Sequence, residues 1–86
     1  MRPIEWLLAL RAERDGLRRL VDAEGLVVAA WRIAQARCRV GAHATEVPTR
    51  FDVRSAAREL VERLGGSVPS SAVLRADCER LGLPVL

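Results

Sequence analysis

Arg11, Arg18, Arg32 and Arg39 recur at multiples of seven residues, with Gly25 in the one gap between them. On a helix this spacing sets them in a line along one side, roughly 10 Å apart per seven residues. A guanidinium is always charged and grips phosphate or carboxylate with two parallel hydrogen bonds, whereas an ammonium is a point charge. Such a line could follow the phosphates of a nucleic acid, with an affinity that falls as salt rises. Asp15 and Asp22 stand beside its N-terminal half and partly neutralise it. Arg32, Arg37 and Arg39 are the least compensated group, since no acid lies between Gly25 and Ala44. The candidate anion or nucleic-acid site is therefore Arg32, Arg37 and Arg39, joined by Arg11 and Arg18.

The arginine-only composition carries less information than the placement. Lysine, asparagine and tyrosine are all absent, and a GC-rich coding sequence would produce that without selection for chemistry. The distribution of charge along the chain does not follow from codon usage. Residues 1–39 hold eight arginines against five acids, and residues 40–86 hold six of each. A basic first half and a neutral second half imply different roles for the two.

Positioning that line requires a long first helix. Leu10, Leu17, Glu24, Trp31 and Cys38 fall on one heptad line; Trp6, Glu13, Leu20, Val27 and Ala34 fall on the companion line. This seam predicts a helix over about 4–39, packed lengthwise on a partner. Gly16 and Gly25 are the two places where it could break, each weakening a helix by roughly 1 kcal/mol relative to alanine. Residues 40–51 contain Pro48 and no helical period, and read as a loop. A second helix is predicted over about 52–64 with Asp52 as its N-cap, burying Ala56, Ala57, Leu60, Val61 and Leu64 and ending at Gly65-Gly66. A third is predicted over about 71–81 behind Ser70 or Ser71, with Leu74, Cys78 and Leu81 inward and Gly82 and Pro84 beyond it.

The fold class is thus all-α, a single helical domain over 1–86. Half the residues are hydrophobic and 29% are charged, a globular balance. A helix of roughly 54 Å (36 residues at 1.5 Å each) cannot bury its seam on two short helices. Two outcomes compete. In one, a second copy covers the seam in a homodimer through Trp6, Leu10, Leu17, Leu20, Val27 and Trp31. In the other, the long helix breaks near Gly16 or Gly25 and folds back into a monomeric bundle. The dimer is the favoured expectation. Glu13 and Glu24, at core positions, call for partners such as Arg14 or Arg37.

Other chemistries find less support. Cys38, Cys78 and His43 lack metal-ligand spacing, so no metal or cofactor is expected, and the cysteines read as small buried hydrophobes. Residues 54–82 could form a helix-turn-helix, but Asp77 and Glu79 on its second helix would repel phosphate. The longest apolar run, Leu26 to Trp31, is too short for a membrane span. Charged residues crowd the early apolar stretch, so a cytoplasmic setting is expected.

A long helix followed by two shorter ones in a chain of this length resembles the all-helical chorismate mutases, which are interlocked dimers. Leu7-Leu8-Ala9-Leu10-Arg11 is similar to the start of that family's first helix, which contributes a substrate-binding arginine. Arg37 or Arg39 falls near its second cationic position and Arg54 near an arginine of its second helix, over roughly residues 7–60. Val27 and Val28 occupy the place of the mid-helix arginine, and Ser55 that of a glutamate. The resemblance implies a site for a small dicarboxylate. The leading expectation is a non-enzymatic binding or regulatory protein acting through helix-mediated assembly, with nucleic acid or an acidic protein as partner. The enzyme, or an inactive relative, is the alternative.

Overall fold

A computed structural model describes residues 14–39 and 47–86. They form four helices: α1 (Arg14–Glu24), α2 (Leu26–Cys38), α3 (Arg50–Leu64) and α4 (Ser71–Leu81). There is no strand among the described residues, so the all-α expectation holds. Trp6, Leu10, Arg11, Glu13 and His43 lie outside the described residues.

The expected continuous helix is corrected at Gly25. Its φ is +90° and its ψ 159°, a conformation that the Cβ of any other residue makes costly. The Gly25 N–H donates to the Val21 carbonyl at 2.7 Å, closing α1, and its own carbonyl accepts from the Ala29 N–H at 3.0 Å, opening α2. A straight helix over residues 14–39 would be roughly 39 Å long, longer than the 32 Å greatest extent of the described residues. The bend instead lays α1 against both α2 and α3. Arg14 Nε donates to the Arg63 carbonyl at 3.2 Å, so Arg14 of α1 lies beside the end of α3. Leu17 becomes fully buried, with Leu20, Val21, Leu26, Val27 and Trp31 packed around the core. Burying one leucine contributes about 1.5–3 kcal/mol, so several such side chains outweigh the hydrogen bonds lost at one break. Within the described residues, the seam expected to face a second copy packs inside the chain.

α2 and α3 run antiparallel. The end of α2 meets the start of α3 at Cys38 and Asp52. The start of α2 shares a depression with Ser67 and Pro69, beyond the end of α3. Ala29, Ala30, Ile33, Ala34 and Ala36 of α2 are buried, as are Val53, Ala56, Ala57, Leu60 and Leu64 of α3. Alanines on both sides let the two backbones approach closely, since helix spacing is set by the side chains at the contact. α2 carries only two charged residues, Arg32 and Arg37, and touches each of the other three helices. It is apolar nearly all round because it is the central helix.

Local chemistry sets the ends of α3 and α4. Thr49, not Asp52, is the N-cap of α3: its side chain accepts from the Asp52 N–H at 3.0 Å, while the Asp52 carboxylate accepts from the Thr49 N–H at 3.2 Å. This is a capping box displaced three residues from the expected cap. Thr49→Ala should lower stability by about 1 kcal/mol, measurable as a shift in urea midpoint with unchanged slope; no shift would mean the box is not formed. Ser70 caps α4 by accepting from Val73 N–H at 3.2 Å. Gly82, left-handed at φ +69°, ends it, with the Leu83 N–H donating back to the Cys78 carbonyl in a Schellman arrangement.

The last residues strap the bundle. Trp31 Nε1–H donates to the Pro84 carbonyl at 2.8 Å, so this tryptophan packs in the fold and satisfies its polar edge there. Leu86 N–H donates to the Pro48 carbonyl, and the Arg50 N–H donates to the Leu86 carbonyl at 3.2 Å. That second bond satisfies a donor of the first turn of α3, which no helical carbonyl reaches.

Candidate functional site

Most of the expected arginine line is already paired. Arg18 Nε lies 3.2 Å from Asp22 Oδ1 and Arg32 Nε 2.6 Å from Glu24 Oε2. Arg37 grips Glu59 with both terminal nitrogens, at 2.6 and 3.2 Å. Only Arg39, of the members described, is exposed with no side-chain partner among the described residues. The bend at Gly25 also takes Arg18 off the line shared by Arg32 and Arg39.

The same bend accounts for Glu24. Residues eight apart on an unbroken helix are separated by roughly 12 Å along its axis. The break brings Glu24 and Arg32 together and turns the carboxylate to solvent instead of into a core. These pairs are surface features: the Arg37 and Glu59 side chains are 37% and 40% exposed. A pair of that exposure is worth about 0.2–1 kcal/mol, so its main effect is to remove a free cation.

Free cations gather on α3. Arg50, Arg54 and Arg58 stand at i, i+4 and i+8, roughly 6 Å per step along the helix. None of the three has an acidic partner among the described residues. Arg54 Nε donates to the Pro69 carbonyl at 3.3 Å, which leaves its terminal nitrogens without an acidic partner among the described residues. Phe51 lies on the same arc and is 80% exposed. Ser55 is also exposed there, and Glu62 closes the arc at its far end. Arg50, Phe51 and Arg54 of α3 meet Ser71 and Leu74 of α4 around a shallow depression of about 260 Å³. Sequence reasoning missed this row, although its i, i+4, i+8 spacing is plainly legible. It looked for the least compensated arginines along the chain, and the acids that decide compensation lie on other helices.

The remaining chemistry is quieter. Asp77 pairs with Arg80 at 3.4 Å and Glu79 with Arg75 at 3.6 Å, so the outer face of α4 is balanced where a recognition helix would be basic. Arg37 and Arg54 line separate depressions, and the single long helix behind the mutase-like topology is absent from the described residues. Cys38 Sγ lies 4.0 Å from Asp52 Oδ2.

Cys78 is fully buried in the core. Burial, and secondarily the charge of Asp77, push its thiol pKa up. The folded chain therefore holds this proton at a pH where the unfolded chain releases it. The resulting stability is complete below the unfolded thiol's pKa and is lost as pH rises toward the folded value. Urea unfolding across an alkaline series should show this decline, flattened in Cys78→Ala. Native Cys78 should also alkylate far more slowly than half-buried Cys38; equal rates would contradict its burial.

Compared with known proteins, the chain matches no family model, no curated protein and no solved structure. Fold and surface alone define its class: an all-helical domain with a cationic, partly apolar face on α3. No helix among the described residues is long and apolar enough to cross a membrane.

Proposed function

We propose that the chain is a small non-enzymatic binding protein whose α3 face takes a nucleic acid. The observation that carries this reading is the row Arg50, Arg54 and Arg58, unpaired by any acid among the described residues. Arginines 18, 32, 37, 75 and 80 each have an acidic neighbour; Arg14, Arg19, Arg39 and Arg63 have none among the described residues but are spread over α1 and the ends of α2 and α3. Paired surface charges contribute little attraction to a distant anion; three unpaired ones on a single helix face do. The charged groups described are surface pairs or outward cations, which favours a binding surface over a convergent catalytic constellation.

Assembly with a second copy is less well supported. The described part of the seam expected to mediate it is largely occupied within the chain, and the large apolar groups left exposed among the described residues are Phe51, Val73, Leu81 and Leu86. A two-fold contact through Phe51 would set one arginine row against its symmetry mate, a like-charge arrangement that opposes association.

Fluorescence anisotropy with a labelled oligonucleotide over a salt series tests the reading. Binding should weaken steadily with salt. Replacing Arg50, Arg54 and Arg58 together by alanine should weaken it about tenfold or more at low salt and reduce the log–log slope by about 2, at roughly 0.7 per single-strand phosphate contact. Absence of binding at low salt, or a triple variant with the same slope, would overturn it. Arg39→Ala, on α2, should change it less.

A further inference from the structure

We infer that the α3 face is built for single-stranded nucleic acid, with Phe51 as the platform on which one base stacks. This rests on the nucleic-acid reading above and adds the class of ligand. Phe51 is the most exposed large hydrophobic side chain among those described. It lies one turn before Arg54 on the helix surface and lines, with Arg50 and Arg54, the depression that also touches buried Leu74. An aromatic ring set among cations is what an unpaired strand requires: the arginines follow the backbone while the ring takes a base face.

A duplex fits this face less well. Its bases are stacked on one another, so a protruding phenyl ring finds no free face. Leu86, in the terminal strap, is 67% exposed beside Arg50, and a rigid duplex would press hydrated phosphates onto it. An unpaired strand can turn its bases to this apolar group and its phosphates to the arginines. Arginine also suits this surface better than lysine would, because its planar group stacks on bases as well as binding phosphate.

The test uses the full chain, with labelled oligothymidylate compared against a duplex of equal length at one salt concentration. Phe51→Ala and Phe51→Leu are measured beside wild type. Since Phe51 is exposed, both variants should keep the wild-type helical circular dichroism and melting temperature. The single strand should bind about tenfold tighter than the duplex. Phe51→Ala should weaken single-strand binding by about tenfold, in the range of one lost base–aromatic stack, with the salt slope unchanged. Phe51→Leu should be nearly as weak, because it keeps apolar bulk but not the ring. Duplex binding as tight as single-strand binding, or a Phe51→Ala affinity equal to wild type, would overturn the stacking inference and leave the nucleic-acid reading standing. If labelled polyglutamate binds and neither oligonucleotide does, both fall, and the face belongs to an acidic protein.

Discussion

Leu60→Ala is expected to lower the free energy of unfolding by about 2–5 kcal/mol, the cost of deleting a buried leucine and leaving part of its volume empty. Leu60 is fully buried at the centre of the inner face of α3, among Ala56, Ala57 and Leu64 and opposite α2. Proteins hold about 0.05–0.15 kcal/mol of stability per residue, so this one change removes a large share of the total. Urea unfolding followed by circular dichroism and tryptophan fluorescence measures it. A loss below about 1 kcal/mol would mean that α2 and α3 are not packed as described. Phe51→Ala is the informative contrast. Hydrophobicity alone ranks phenylalanine above leucine, yet at 80% exposure its removal should cost less than about 0.5 kcal/mol. Burial decides the order.

The second large effect is at Gly25. Alanine there should destabilise the bent form by about 1–3 kcal/mol, the cost of holding a non-glycine residue in a region glycine alone adopts readily. Crowding is not the cause, since a Cβ at this position meets nothing within 4 Å. Alanine also favours a continuous helix by about 1 kcal/mol over glycine. The two effects add, moving the balance between bent and straight forms by about 2–4 kcal/mol. Straightening would withdraw α1 from α3 and expose Leu17 with its neighbours, the surface that a second copy could cover. Gly25→Ala should therefore melt lower than wild type and self-associate more, by light scattering at matched concentration. An unchanged melt and mass would show that the bend does not depend on glycine.

The contrast between α1–α2 and α3–α4 separates what could be read early from what could not. The third and fourth helices were legible to within a few residues because their ends are written in neighbouring residues. Thr49 and Asp52, Ser70, Gly65 and the Gly82–Pro84 pair act over three or four positions, a range at which sequence and structure coincide. Even the misplaced cap belongs to this class, since Asp52 is in the box, at its third helical position instead of at the N-cap. Within the first segment, Gly16 and Gly25 looked equivalent as break points. Only Gly25 breaks the helix; Gly16 lies within α1. The heptad seam was real as a pattern of apolar residues but silent about what would cover it. α3 covers part of it and the terminal strap meets Trp31, contacts made by residues as many as 53 positions away.

The candidate site divides in the same manner. Residue type and helical spacing were available from the chain: arginine for anions, rows at i+4 or i+7, no metal-ligand spacing. Whether a given arginine is free depends on acids that arrive from elsewhere in the fold. Arg37 meets Glu59 from another helix, and Arg32 meets Glu24 only because the chain turns at Gly25. Sequence by itself determined the all-helical class, the presence and approximate extent of α3 and α4, and the supply of guanidinium groups, because those follow from local backbone chemistry and composition. Tertiary structure decided where the first helix bends, which apolar seam is internal and which arginines remain free. Each of those is settled by the free energy of bringing distant residues together, a quantity that no single stretch of the chain contains.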